Sequence, residues 1–189
     1  MRLAAVLSAF AALLTAPAMA AEEPDYTLVE EHGDIEIRDY PALILAEVEM
    51  TGDRREAANQ GFRPLAGYIF GGNAPDEKIE MTAPVTSTRP GEEIDMTAPV
   101  TSEPAGEGRW RIAFIMPSEW TIDTLPEPEN DQVSLRELPG RRVAAIRFSG
   151  TMGEDRVEAK LEELTGFLAE RDLEPKSAPV YAAYNPPWI

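Results

Sequence analysis

The chain has 189 residues, with 17 Lys plus Arg against 34 Asp plus Glu, one His and no Cys, for a formal net charge of −17. A field of that sign repels nucleic acid and anionic membrane surfaces. The missing thiol removes disulfides, Cys-based metal sites and thiolate catalysis. The acids are spread along the sequence rather than gathered into a tail, as in a soluble, self-repelling surface.

The first twenty residues read as an export signal. Arg2 supplies a positive start, Leu3 to Leu14 an apolar run broken only by Ser8, and Ala18-Met19-Ala20 the small-x-small ending that signal peptidase cuts. The run is too short for a membrane span. Cleavage near Ala20-Ala21 predicts a periplasmic or secreted protein, and the absence of a following Cys excludes a lipid anchor. Residues 21–189 then suit a single domain with a sizeable core.

In chain order, Tyr26 to Glu31 reads as a strand, His32-Gly33-Asp34 as a turn, and the alternation around Ile35 and Ile37 as a second, half-buried strand. Leu43 to Met50 continues as a third after Pro41. Asp53 and Glu56 then form a capping box for a helix whose apolar stripe is Ala58, Phe62, Leu65 and Ile69. Pro64 inside it predicts a kink or two short helices. Ile79–Ser87 recurs as Ile94–Ser102, identical but for Glu80 and Asp95, and alternation places Ile, Met, Ala and Val of each copy on one strand face. With Arg89-Pro90-Gly91 as a turn, the two copies predict a hairpin. Trp110 to Met116 follows as a strand, then a surface loop over 117–131. Val133 to Leu138 and Arg142 to Phe148 predict a second hairpin around Pro139-Gly140. A second helix, boxed by Thr151 and Glu154, carries Val157, Leu161, Leu164 and Leu168, and Val180 to Tyr184 is the last strand. Each helix follows a strand and a Gly, which suggests two similar halves, each a helix laid across antiparallel strands.

Several segments together resemble the SOUL haem-binding family: Gly33 to Pro41, Gly61 to Gly71, the doubled Met-Thr-Ala-Pro-Val, Arg109 to Pro117, Val143 to Gly150, and Tyr184-Asn-Pro-Pro187. The resemblance implies an α+β fold, a distorted antiparallel β-barrel with two helices and two pseudo-symmetric halves, similar to effector-binding domains. It implies non-covalent binding of haem or a related tetrapyrrole in an apolar cleft beside the first helix, by a carrier or buffer rather than an enzyme. One vertebrate branch has a His proposed as an axial ligand where this chain has Asp39. The family continues past the Pro-Pro with a further strand, which a chain ending at Ile189 lacks.

Within that framework the expected ligand-binding residues are Arg54, Phe62, Arg63, Leu65 and Tyr68, the arginines meeting propionates and the apolar side chains the ring. Arg55 shares the cationic stretch. His32 reads as a solvated turn residue, and Met81, Met96 and Met116 as inward-facing core filler, so no metal ligand is assigned. No catalytic residue is assigned, because the serines lack an elbow motif and no phosphate loop is present. Two alternatives differ in class. A small-molecule hydrolase of the effector-binding type would use Glu47 or Glu49, which share a strand face opposite Ala46 and Val48. An envelope protein-interaction domain would use an open sheet edge.

Overall fold

The structure, a computed structural model, describes residues 23–74 and 91–184; residues 1–22, where an export signal is expected, residues 75–90 with the first nonapeptide copy, and residues 185–189 lie outside them. The elements in chain order are β1 (Thr27–His32), β2 (Ile35–Tyr40), β3 (Leu43–Thr51), α1 (Arg54–Ile69), β4 (Asn73–Ala74), β5 (Val100–Pro104), β6 (Arg109–Ile115), β7 (Glu127–Pro128), β8 (Ser134–Leu138), β9 (Arg141–Ile146), α2 (Glu154–Ala169) and β10 (Tyr181–Ala183). The class is α+β, as expected.

The strands form three antiparallel sheets, ordered β10-β5-β6-β3-β8, β1-β2-β9 and β4-β7. These sheets are not closed into a barrel, which corrects that expectation. The reason lies at two proline corners. β2 pairs with β9 as far as Tyr40 opposite Arg141, and β3 pairs with β8 from Leu43 opposite Leu138. Between them Pro41-Ala42 faces Pro139-Gly140. A proline has no N–H for the ladder, so one long ribbon breaks there and its two ends enter different sheets. The expected hairpin between β8 and β9 does not form for the same reason: the chain runs on through the corner instead of reversing.

Helix α1 covers one face of the five-stranded sheet. Asp53 caps it, its Oδ1 accepting from the Glu56 N–H at 2.8 Å. The helix runs unbroken through Pro64, so the expected alternative of two short helices does not hold. Packing of its buried side outweighs the one lost backbone bond. That side is Ala57, Gly61, Leu65, Tyr68 and Ile69, while Ala58 and Phe62 are half-buried, so the stripe is rotated by about one position from the expected line. Gly61 fixes the crossing point. A Cβ there would stand 2.9 Å from Ile112 and 3.1 Å from Val48. Beneath it Ala46, Val48, Ile112, Phe114 and Met116 complete the core.

The second nonapeptide copy is not a strand over its length. β5 begins at Val100, and both its edges are taken, by β6 and by β10. The expected hairpin between the two copies rests on Ile79–Ser87, which lies outside the described residues. Met96 is 38% exposed rather than turned inward, whereas Ile94 and Thr97 are buried. Local anchoring overrides alternation here. The buried Asn73 side chain donates to the carbonyls of Tyr68 and Glu92 and accepts from the Glu92 N–H, all at 2.8 Å. The Ile94 N–H donates to the Ile69 carbonyl, and the Thr97 hydroxyl donates to the Ile115 carbonyl.

Helix α2 packs on β9 of the three-stranded sheet. It starts at Glu154 with Gly153 as its cap and no side-chain cap bond. Glu154 is thus in the first helical position, too early to complete the expected box with Thr151. On β2, Glu36, Arg38 and Tyr40 alternate with Ile35 and Ile37, and Arg38 is buried. Its guanidinium donates to Glu36 at 2.7 Å and to the Tyr40 hydroxyl at 3.0 Å, and stacks 4.3 Å over the Tyr26 ring.

Candidate functional site

Two clefts flank the five-stranded sheet. The larger, about 530 Å³, lies beside α1 and is lined by Arg63, Pro64, Gly67, Tyr68, Gly72, Glu129, Asn130 and Gln132. Its two walls are set by local structure. Pairing of β4 with β7 places Asn73 opposite Pro128. The Glu129 N–H then donates to the Gly72 carbonyl at 3.2 Å, which holds the 129–132 loop beside the helix end. Gly67 forms an open shelf, because a Cβ there would meet nothing within 4 Å. Arg63 is exposed and, among the described residues, has no ion-pair or hydrogen-bond partner.

Tyr68 forms the inner wall. Its ring is buried and its hydroxyl donates to the Pro126 carbonyl at 2.9 Å. Burial pushes the phenol up to about 12, so it stays protonated at neutral pH. The lining as a whole mixes charged, amide and apolar groups, where the resemblance implies an apolar cleft.

Of the expected ligand residues, the structure brings Arg63 and Tyr68 together here. Leu65 is 0% exposed and points into the sheet. Phe62 packs edge-on against Phe114, with ring centroids 5.3 Å apart. Arg54, at the far end of α1, donates to the Met152 carbonyl at 2.8 Å and sits over the Tyr181 ring. Sequence reasoning missed Gly67, Gly72 and the Glu129–Gln132 wall. An exposed glycine within a helix was the available signal for the first, since such a residue weakens the helix without filling any packing need.

The second cleft, a shallow groove of about 40 Å³, lies on the sheet face away from α1. Residues opposite one another across the ladders share this face: Leu43 with Leu138, Leu45 with Ile115, Glu47 with Ala113, and Glu103 with Arg111. Leu43, Leu45, Ala113, Ile115, Leu138 and Val180 make its apolar surface. At one end Glu47, 8% exposed, is clamped by two guanidinium groups. Arg136 Nε reaches both carboxylate oxygens at 3.1 and 2.9 Å, and Arg111 Nε lies 3.5 Å away. Arg111 also donates to Glu103 at 2.8 Å. Glu49 is more exposed and pairs with Arg109 and Arg111 at 3.2 and 3.1 Å. Glu47 thus faces the cleft as an ion-paired carboxylate, with both oxygens already accepting.

His32 stands outside both clefts, with Nε2 3.1 Å from Glu30 and its ring against Phe167. Among the described residues no three His, Asp or Glu side chains gather as a metal site, and no helix is long and apolar enough to cross a membrane.

Comparison with known proteins adds a relationship to this geometry. The family model described as "SOUL heme-binding protein" matches residues 21–189. Heme-binding protein 2 of Homo sapiens is 32% identical over 179 residues, covering 91% of this chain and 82% of that one. Heme-binding protein 2 of Mus musculus is 30% identical over 139 residues, covering 73% of this chain and 63% of that one.

Proposed function

The chain belongs to the SOUL heme-binding protein family, and from that premise we propose that it is an exported carrier or buffer that holds a haem-type tetrapyrrole in the cleft beside α1. The observation that carries this reading is the open Gly67 shelf between Tyr68 and the unpartnered Arg63. A flat ring can lie against the helix at Gly67, and Arg63 can meet a propionate.

Magnitudes rank these contributions. Covering about 200 Å² of ring, one face, at about 25 cal/mol/Å² gives roughly 5 kcal/mol before association costs. An exposed Arg–propionate pair adds about 0–1 kcal/mol. Ring burial therefore dominates, and micromolar binding is expected once both faces are partly covered. Tyr68 is a poor iron ligand while its phenol is protonated and bonded to Pro126. The clamped state of Glu47 also favours binding over hydrolysis, because a general base needs a free oxygen for the proton it takes.

Haemin titrated into the mature protein is expected to shift the Soret band saturably. Gly67→Trp fills the shelf without touching the core and should abolish the shift, whereas Arg63→Gln should weaken binding only several-fold. A flat titration of the parent, or unchanged binding by Gly67→Trp, refutes the assignment. Fractionation of the host cell tests export directly: recovery in the cytoplasm with an intact N-terminus counts against it.

A further inference from the structure

The cleft beside α1 carries opposite charges on its two walls. On the helix wall, Arg63 stands one turn before the Gly67 shelf and shares its face. On the loop wall stands Glu129, one residue past β7. The backbone fixes that wall. The Glu129 N–H donates to the Gly72 carbonyl at 3.2 Å, and the Val133 N–H donates to the Asn130 carbonyl at 2.9 Å. The Gln132 N–H donates to Asn130 Oδ1 at 3.0 Å. Glu129 is exposed and, among the described residues, its carboxylate has no ion-pair or hydrogen-bond partner. Exposed Glu127 and Asp131 flank it, with no base between them. The remaining polar side chains of the lining are neutral: the amides of Asn130 and Gln132 and the protonated Tyr68 phenol.

We propose that Glu129 sets the specificity of this cleft, admitting tetrapyrroles whose carboxylates lie along one edge of the ring and rejecting those with carboxylates all round. The inference rests on the tetrapyrrole reading of the same cleft. A ring with propionates on two neighbouring pyrroles, as in haem, can set that edge at Arg63 and turn its carboxylate-free edge to Glu129. A ring with a carboxylate on every pyrrole has no such edge, so an anion meets the Glu129 wall whichever way it enters. Each carboxylate held about 8 Å from Glu129 in water is disfavoured about twofold. The penalty grows where the ring displaces the water between the two charges. The net charge of −17 repels every anionic ligand, but only a charge on the wall itself can sense where on the ring the carboxylates lie.

Three metal-free porphyrins, titrated into the full mature chain and followed by fluorescence, test this. They are mesoporphyrin with its propionates on neighbouring pyrroles, its isomer with the propionates on opposite pyrroles, and the tetracarboxylate coproporphyrin. The two isomers have the same charge and the same apolar area, so only carboxylate position separates them. At low salt the neighbouring isomer is expected to bind about threefold more tightly than the opposite one, and coproporphyrin more weakly than either. Glu129→Gln should erase most of the difference between the isomers, and so should salt at about 1 M. Glu158→Gln, on α2 and outside the lining, removes the same charge and should leave the difference unchanged. Both side chains are exposed and unpartnered among the described residues, so both variants should keep the parent melting curve. Equal binding of the two isomers, or a difference that survives Glu129→Gln, overturns the proposal and leaves the tetrapyrrole reading standing. Failure of all three porphyrins to bind removes both.

Discussion

Two glycines on α1, six positions apart, should respond in opposite directions to the same substitution. Gly→Ala within a helix gains about 0.5–1 kcal/mol, because glycine has more backbone freedom to lose. At Gly67 nothing opposes that gain, since the added Cβ meets open space. At Gly61 the Cβ would stand 2.9 Å from Cβ and Cγ1 of Ile112 and 3.1 Å from Cγ2 of Val48. Both neighbours are fully buried strand residues with little room to shift. Overpacking of this kind costs about 1–3 kcal/mol, so the net effect at Gly61 is a loss of about 0.5–2 kcal/mol. For a chain of this length 1 kcal/mol corresponds to about 2–4 °C. Gly67→Ala should therefore raise Tm by about 1–4 °C and Gly61→Ala lower it by about 1–8 °C, measured by far-UV circular dichroism at constant pH and salt. Shifts of the same sign would refute the placement of the helix on the sheet, and with it the open shelf at Gly67.

Three further substitutions probe what holds the clefts in place. Asn73→Ala removes three 2.8 Å hydrogen bonds at a buried site, so urea unfolding should show a loss of about 2–4 kcal/mol. Arg136→Met leaves Glu47 with only Arg111, at 3.5 Å, and should cost about 2–3 kcal/mol; an unchanged urea midpoint would mean that the clamp is loose in solution. The third concerns acid. A hydrogen bond from Arg38 holds the Glu36 carboxyl below its ordinary 4.5, against the opposing effect of burial. A depressed folded value stabilises the native state above about pH 4.5, and that stability is lost as pH falls through the folded value. Arg38→Met should therefore be most destabilising at neutral pH, with its urea midpoint converging on the parent's below pH 4.5. A gap that stays constant from pH 7 to pH 3 would sink this account.

The parts of the fold legible in the sequence are those decided within one element. The Asp53 cap, the β3 alternation that turns Ala46 and Val48 from Glu47, and the inward face of β6 all follow from local spacing. What was not legible depends on which strands meet. Pro139-Gly140 reads locally as a hairpin turn, and only the facing Pro41-Ala42 corner reveals a broken ribbon. The second nonapeptide copy alternates well enough for a strand, yet Asn73 anchors Glu92 just before it and the Ile94 N–H bonds the Ile69 carbonyl, which holds its start as a loop. The candidate sites divide in the same way. Arg63 and Tyr68 could be placed on α1 by helical spacing. The cleft around Glu47 could not be found, because Arg111, Arg136 and Arg141 come from three other strands and gather only through the register.

The charge balance gives weight to the unpartnered arginines that line clefts. With 34 acids for 17 bases, most cations on the surface of such a chain have an acid within reach. Arg38, Arg109, Arg111, Arg136, Arg142 and Arg147 all lie in ion pairs. Among the described residues Arg55, Arg63, Arg141 and Lys176 have no ion-pair or hydrogen-bond partner, and of these Arg63 and Arg141 stand on the lining of a cleft. Neither position is explained by stability, since an exposed arginine without a partner contributes little to the fold. An anion nearing this protein meets repulsion over most of the surface, screened only beyond about 8–10 Å at physiological salt. Short-range contact at these two rims is where that repulsion is locally reversed. Under the proposed function, burial of the ring in the α1 cleft rather than Arg63 itself would supply most of the affinity. Arg63 would then select for charge rather than supply binding energy.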